Sequence, residues 1–283
     1  MTAQIIAFFE NIPSWQRTLI LAGGLLLFWV IEGIVPILKT RYPRVRHLGV
    51  NLVFTMTTLL INLAFAAIII LVSQWSTGHG FGLLQWVAMP VGLQILAGLL
   101  LMDLVGAYLI HLIEHNMYWM WRFHVVHHTD MHVDTTTALR HHPGESVFRA
   151  VFTILAVALA GAPAWLVMMY QSLSAFASQF NHANFHIHPI LEKYLRWIIV
   201  TPGMHRVHHH QTQPYTDSNY GNVFAIWDRL FGTYAALKAD QIVYGLDVYH
   251  KSDYDVMQLL KVPVDSENYH HRYLENDEKP ESS

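Results

Sequence analysis

The chain has 283 residues and a formal net charge of −3, which excludes the basic surface of a nucleic-acid-binding protein. Hydrophobic residues make up 53% of the chain and charged residues only 13%, whereas soluble domains carry ~25% charged residues. The composition therefore indicates a membrane protein. Because the chain has no cysteine, disulfides, iron–sulfur clusters and thiolate-ligated haem are also excluded.

Four apolar regions follow one another along the chain. Residues 18–38, 48–72 and 81–110 each supply the ~20 mostly apolar residues that a membrane-spanning helix needs. Region 147–180 is interrupted at Gly161-Ala162-Pro163, and glycine and proline together end helices. Since histidine groups lie on both sides of this region, we interpret it as a helical hairpin whose two ends lie on the same face of the membrane.

The distribution of basic residues predicts the orientation. The loop between the first two spans carries four basic residues, and the positive-inside rule places that loop in the cytoplasm: Lys39, Arg41, Arg44 and Arg46. Loop 73–80 has neither lysine nor arginine and is expected outside. The predicted fold is an all-α integral membrane protein, in which about four transmembrane or hairpin regions carry a cytoplasmic helical cap. Residues 1–235 are expected to form one domain, with the cap at 111–146 and 181–235. Residues 236–283 are expected to be a polar, partly disordered tail.

Histidines recur in short groups with helical spacing. An HxxxH pair precedes an HxxHH triplet twice, and positions i, i+3 and i+4 share one face of a helix. With 20 histidines in 283 residues, HxxHH is expected about 0.1 times by chance, yet it occurs twice. The ten residues are His111, His115, His124, His127, His128, His182, His186, His205, His208 and His209.

Clustered imidazoles would repel one another if they were protonated, and neutral imidazole is the commonest metal ligand in proteins. Ten histidines exceed the four ligands of one zinc site. Two metal ions with about five nitrogen ligands each would use all ten, and an all-nitrogen, redox-capable pair favours iron.

These groups resemble the histidine boxes of the membrane fatty acid hydroxylase/sterol desaturase superfamily. The resemblance covers roughly residues 45–235 and rests on HLIEH (111–115), HVVHH (124–128), RHHPGE (140–145), NHANFH (181–186), TPGMHRVHHH (201–210) and NYGNVFAIWDRLFGTY (219–234). It implies that the ten histidines bind two iron ions. It also implies that further residues support the metal site or face the substrate: Arg140, His142, Glu145, Asn219 and Asp228, with Asp217 and Trp227 in the same C-terminal signature.

The function implied by the resemblance is hydroxylation of an unactivated C–H bond of a membrane lipid, whether fatty acyl, alkyl or sterol, with O2 as co-substrate. Because the chain has no flavin- or dinucleotide-binding glycine motif and no haem domain, an external electron donor is expected. A bacterial inner membrane is favoured over the endoplasmic reticulum. A desaturase using the same site is the nearest alternative. A membrane metal-binding or transport protein is the non-enzyme alternative, although Glu32 and Asp103 are almost the only acids in the spans.

Overall fold

The computed structural model describes residues 2–39, 41–246 and 255–264. In this part of the chain the regular structure is helical, and β-pairing is limited to isolated bridges. Three short 3₁₀ helices occupy Thr135–Leu139, Ala239–Gln241 and Val262–Val264, and a π-helix occupies Leu104–Leu109. The α-helices are α1 Thr2–Asn11, α2 Ser14–Ile34, α3 Arg44–Gly78, α4 Leu83–Trp86, α5 Val91–Asp103, α6 Ile110–Asn116, α7 Tyr118–His128, α8 Pro143–Ala160, α9 Ala164–His182, α10 Pro189–Leu195, α11 Pro202–His208, α12 Ile226–Leu230 and α13 Val256–Lys261.

The prediction of an all-α membrane protein is confirmed. Four helical stretches of the described chain are long and apolar enough to span a membrane: Ser14–Ile34, Arg44–Trp86, Val91–Asn116 and Pro143–Ala160. The third span differs from the sequence-based prediction, because it begins at Val91 rather than at Phe81. Pro90 cannot donate a helical hydrogen bond and disfavours helix at the residue before it, so residues 81–90 form α4 and a turn instead.

Helix α3 has the surface expected of a lipid-facing span. Its 35 residues extend about 52 Å, which exceeds the ~30 Å hydrocarbon core. Leu59, Leu60, Leu63 and Leu71 are all more than half exposed. A soluble protein rarely exposes so continuous an apolar surface, and lipid is the environment that suits it.

Helices α8 and α9 are joined by the turn at Gly161–Pro163. Gly161 ends α8 with a φ of +63°, the left-handed conformation that glycine adopts without steric cost. Gly82, just before α4, approaches so closely that an added Cβ would lie 2.3 Å from the backbone nitrogen of Gly161. Ser73 of α3 and Gln85 of α4 donate to the carbonyl oxygens of Ala162 and Gly161 at 2.7 Å. The turn is therefore held from both neighbouring elements.

Asp103, at the end of α5, connects the third span to the segment after α11. Its buried carboxylate accepts hydrogen bonds from Phe224 N at 3.1 Å, Val223 N at 3.3 Å and the Trp227 indole nitrogen at 3.0 Å. One acid in the membrane region thus orders residues 223–227, because three donors of this segment share it as acceptor.

Replacement of Asp103 with leucine is expected to destabilise the protein strongly. The variant leaves these buried donors without an acceptor, and each unsatisfied group costs about 1–3 kcal/mol. We expect a large fall in the melting temperature of the detergent-solubilised protein. Asp240→Leu, at an exposed position, is the matched control. Equal melting temperatures for the two variants would contradict this role of Asp103.

The C-terminal segment packs against the histidine-bearing helices rather than forming only a polar tail. Leu246, Leu259 and Val262 are buried in one cluster with Trp121 and Val125 of α7. These apolar side chains are spaced among polar residues, so the polar composition of the segment did not predict the contact. The disorder expected for the final residues lies outside the described residues.

The basic loop between α2 and α3 lies on the same side of the molecule as the histidines. His47 Nε2 lies 2.8 Å from a carboxylate oxygen of Asp130, which follows the first HxxHH triplet by two residues. Tyr42 donates to Asp134, and Arg44 bonds Glu32 at 3.0 Å. The loop thus contacts the segment that follows the first HxxHH triplet, and the side of the membrane on which both lie stays a prediction.

Candidate metal centre

Nine of the ten predicted ligands converge into two adjacent buried groups. In each group, one ring nitrogen per histidine lies within 4.8 Å of the others. The first group contains His111, His115, His124, His128 and His208, and the second contains His127, His182, His205 and His209.

Four helices deliver these side chains. His111 and His115 lie one turn apart on α6, and the first HxxHH triplet ends α7. His182 is the last residue of α9, and the second triplet lies at the end of α11. Helix α11 begins as the sequence suggests: the Thr201 hydroxyl accepts from Met204 N, and Pro202 occupies the first helical position.

The ring nitrogens are spaced as ligands of a common ion. In the first group, His124 Nε2 lies 3.1 Å from His111 Nε2 and 3.2 Å from His128 Nε2. In the second group, His182 Nε2 lies 3.0 Å from His127 Nε2 and 2.9 Å from His205 Nε2. Two imidazole nitrogens bound at ~2.1 Å and at right angles about one ion would be separated by about 3.0 Å.

The opposite nitrogens of His111 and His124 show why the contact between their Nε2 atoms is not an ordinary hydrogen bond. Nδ1 of His111 lies 2.9 Å from the carbonyl oxygen of Tyr220, and Nδ1 of His124 lies 2.9 Å from Glu145 Oε1. Because both partners only accept, each Nδ1 carries the proton and each neutral ring presents a bare Nε2 to the group. Acceptors also hold the Nδ1 atoms of three more histidines. Nδ1 of His115 contacts Asp217, Nδ1 of His182 contacts the carbonyl oxygen of Ser178, and Nδ1 of His208 contacts the carbonyl oxygen of Ser218.

Burial keeps these rings neutral. It lowers the pKa of His124 to about 4, against the opposing effect of Glu145. Burial also holds the pKa values of His127, His128, His205 and His209 well below the usual range, and neighbouring histidines lower them further. Among the described residues, neither ring nitrogen of His209 has a hydrogen-bond partner. Bare lone pairs facing one another in a dry site fit metal ions, which would be held by the nine histidines.

The metal-free protein is expected to lose stability as the pH falls from about 7.5 to about 5. Unfolded histidines take up protons near pH 6.5, whereas these buried rings do so only at lower pH, so acid favours unfolding. Below about pH 6.5, each such histidine contributes up to about 1.4 kcal/mol per pH unit until the folded ring itself takes up a proton. The measurement is the melting temperature of metal-free and metal-loaded protein across this range. Bound metal should move the loss to lower pH. A flat profile for the metal-free protein would contradict the assignment.

His186, the tenth predicted ligand, lies outside both groups. Helix α9 ends at His182, so His186 falls on extended chain, where the i, i+4 spacing no longer places two side chains on one face. Its side chain is exposed, and its backbone nitrogen donates to the carbonyl oxygen of Val35 at 3.3 Å. The structure therefore brings together nine of the ten predicted histidines, in groups of five and four.

A buried acid–base cluster lies behind the first group. Glu145 Oε1 contacts His124 Nδ1 at 2.9 Å, His141 Nδ1 at 2.7 Å and Arg149 Nε at 2.9 Å. Arg149 also bonds Glu114 at 2.7 Å, so two buried carboxylates share one guanidinium. Glu145 was predicted from the sequence, whereas His141 was not. The His141 ring stacks on His127 with centroids 4.9 Å apart. Glu145 thus reaches a ligand of each group, directly or through His141.

The other residues implied by the resemblance support the loops around the centre. Arg140 pairs with Asp130 at 3.2 Å, and His142 caps α8 by accepting from Gly144 N. Asn219, with a φ of +53°, bonds the backbone of Met204 and Ala235. Asp228 accepts from the backbone nitrogens of Tyr220 and Gly221. Of the residues in the C-terminal signature, Asp217 contacts a ligand, whereas Trp227 bonds Asp103.

Comparison with known proteins gives a consistent result. Residues 95–233 match the family model described as fatty acid hydroxylase. The chain is 29% identical to an ornithine lipid hydroxylase of Rhizobium tropici over 150 residues, which cover 53% of this chain and 43% of that protein. It is 35% and 34% identical to alkylglycerol monooxygenases of Xenopus tropicalis and Homo sapiens, over 50% of this chain and 30% of each relative. The matches thus span less than half of these relatives. No solved structure matches at a significant level.

Proposed function

Because residues 95–233 place the chain in the fatty acid hydroxylase superfamily, we propose that it is a membrane-bound, non-haem di-iron oxygenase. Its substrate in this proposal is a membrane lipid, hydroxylated at an unactivated C–H bond with O2 and electrons from an external donor. The relatives named above are lipid hydroxylases and monooxygenases, which favours hydroxylation over desaturation.

The observation that carries the proposal is the pair of adjacent histidine groups, in which Nε2 atoms of neighbouring rings face each other at 2.9–3.2 Å. Two iron ions held there would supply the chemistry that activates O2 toward an alkyl carbon. The abundance of imidazole and the absence of cysteine from the chain suit a nitrogen-ligated, redox-active metal.

The protein's own residues would hold the ligands rigid and keep water away. The hydrogen bonds from Nδ1 fix the ring orientation of five ligands before metal binds, and such preorganisation favours binding and catalysis. All nine rings are buried, and His111 and His115 lie at the end of the span Val91–Asn116, so an alkyl chain in the bilayer would lie close to the centre. In this proposal the centre lies on the cytoplasmic face, which the basic residues of loop 39–46 support, and the membrane is a bacterial inner membrane.

The test uses the full chain, purified without oxygen, loaded with Fe(II) and reconstituted in vesicles that contain an ornithine lipid or an alkylglycerol ether. After addition of a chemical reductant and isotopically labelled O2, the lipids are analysed by mass spectrometry. Incorporation of one labelled oxygen atom per lipid is the expected result. Loss of two hydrogens without oxygen would show a desaturase instead.

The control is His209→Ala protein in the same vesicles, which should leave both lipids unchanged. Unaltered lipids with iron-loaded wild-type protein would reject these two substrates. If iron does not bind at all, the oxygenase proposal itself fails.

A further inference from the structure

Helix α10 exposes apolar side chains and turns its acidic side chain toward the protein, the opposite of a helix that faces water. None of its residues is buried, and its outward side chains Leu191 and Tyr194 are more than half exposed. Its acid, Glu192, points inward instead and accepts a hydrogen bond from the Thr201 hydroxyl at 3.1 Å. An exposed apolar face with an inward-facing acid is unfavourable in water and needs another environment.

Helix α12 continues the same face. Ala225 N donates to the carbonyl oxygen of Ile198 at 3.1 Å, and the Arg229 guanidinium lies 4.5 Å from the centroid of the Trp197 ring. We call the combined surface the interfacial face. It consists of six side chains that are each more than half exposed: Leu191, Tyr194, Trp197, Ile198, Leu230 and Phe231.

The contacts of α12 fix the depth of this face. Trp227 bonds Asp103 at 3.0 Å, and the Phe231 ring stacks on Tyr108 with centroids 5.3 Å apart. Both partners belong to the span Val91–Asn116. From Val91 they lie about 18 Å and about 25 Å along the helix axis, within the ~30 Å thickness of the hydrocarbon core.

Basic residues border the apolar side chains. Lys193 lies on α10 next to the exposed Tyr194, and Arg196 directly follows the helix, next to Trp197. Arg229 lies against the Trp197 ring. Arg196 and Arg229 also lie against the ring of Tyr234. Tryptophan, tyrosine and leucine next to lysine and arginine are typical of segments that rest in the lipid headgroup region.

We propose that the interfacial face lies in the lipid–water interface of the bilayer and that its basic border binds anionic lipid headgroups. This contact holds the chain before α11 at a fixed depth, only a few residues ahead of His205. The membrane thereby helps to position the second histidine group. The inference goes beyond the proposed reaction and does not depend on it.

The test uses the absence of cysteine, because each introduced cysteine then gives a unique nitroxide label. Ile198→Cys and Leu230→Cys report on the interfacial face in full-length protein reconstituted in phosphatidylcholine vesicles with phosphatidylglycerol. Leu60→Cys on α3 is the lipid-facing reference, and Lys238→Cys, at an exposed position just after the cap, is the aqueous reference. Spin relaxation measures collisions of each label with oxygen, which partitions into lipid, and with a water-soluble nickel chelate.

Both interfacial labels are expected to show an oxygen-to-nickel collision ratio several-fold above that of Lys238→Cys and nearer to that of Leu60→Cys. A ratio equal to that of Lys238→Cys would overturn the proposal. Protection from both reagents would also overturn it, since protein would then cover the face.

The charge requirement is tested with Ile198→Cys protein that also carries Lys193→Gln and Arg196→Gln. Removing these charges should lower the collision ratio in phosphatidylglycerol vesicles but leave it unchanged in pure phosphatidylcholine. Equal ratios in the two lipids for the parent Ile198→Cys protein would reject the anionic headgroup as the ligand.

Discussion

Replacement of His209 with alanine is expected to reduce bound iron from about two to about one per chain, whereas replacement of His186 should leave the iron content unchanged. His209 is buried with both ring nitrogens unpartnered among the described residues, and it belongs to the second histidine group. Without it, that group keeps only three ligands. His186 is exposed on extended chain and belongs to neither group.

The measurement is iron per chain by elemental analysis after anaerobic loading, with oxidation of the lipid substrate assayed in parallel. We expect His209→Ala to lower lipid oxidation by about 100-fold or more, since even residues behind the ligands typically cost 10–100-fold. His186→Ala is the matched control, because it also removes one of the ten predicted histidines but one that lies outside both groups. Loss of iron in His186→Ala would show that the chain between α9 and α10 rearranges when metal binds. Two irons in His209→Ala would contradict the assignment of the second group.

Replacement of Glu145 with alanine is expected to weaken iron binding by about 10–100-fold without changing any ligand. The carboxylate accepts from His124 at 2.9 Å and thereby keeps the ligating Nε2 bare, and it also holds His141 against His127. Its loss leaves Arg149 paired with Glu114 alone. Affinity is measured by competition with a chelator of known strength.

Glu145→Gln should give an intermediate affinity, because the amide oxygen can still accept from His124 but carries no charge. Glu10→Ala, at an exposed position on α1, is the control for a lost carboxylate. Melting of the metal-free variants separates a folding defect from a metal-binding defect. Wild-type iron affinity in Glu145→Ala protein with a normal melting profile would refute the role given to this carboxylate.

The sequence by itself determined the membrane class, the turn at Gly161–Pro163 and nine of the metal-binding candidates. Each of these depends on local properties: the length of apolar runs, the conformations open to glycine and proline, and the helical spacing of histidines. Each HxxHH triplet lies at the end of a helix, and its i, i+3, i+4 spacing places the three rings on one face of that helix.

Only the tertiary structure decided what depends on where a helix ends and what packs beside it. His182 and His186 have the same spacing as His111 and His115, yet α9 stops at His182 and turns the later ring away. Each of the two histidine groups combines residues from distant parts of the chain. The spacing of histidines along one helix does not predict which histidines of another helix join them. The contacts of Asp103 and Glu145 are likewise invisible in the sequence, since a buried carboxylate is defined by the donors that other elements bring to it.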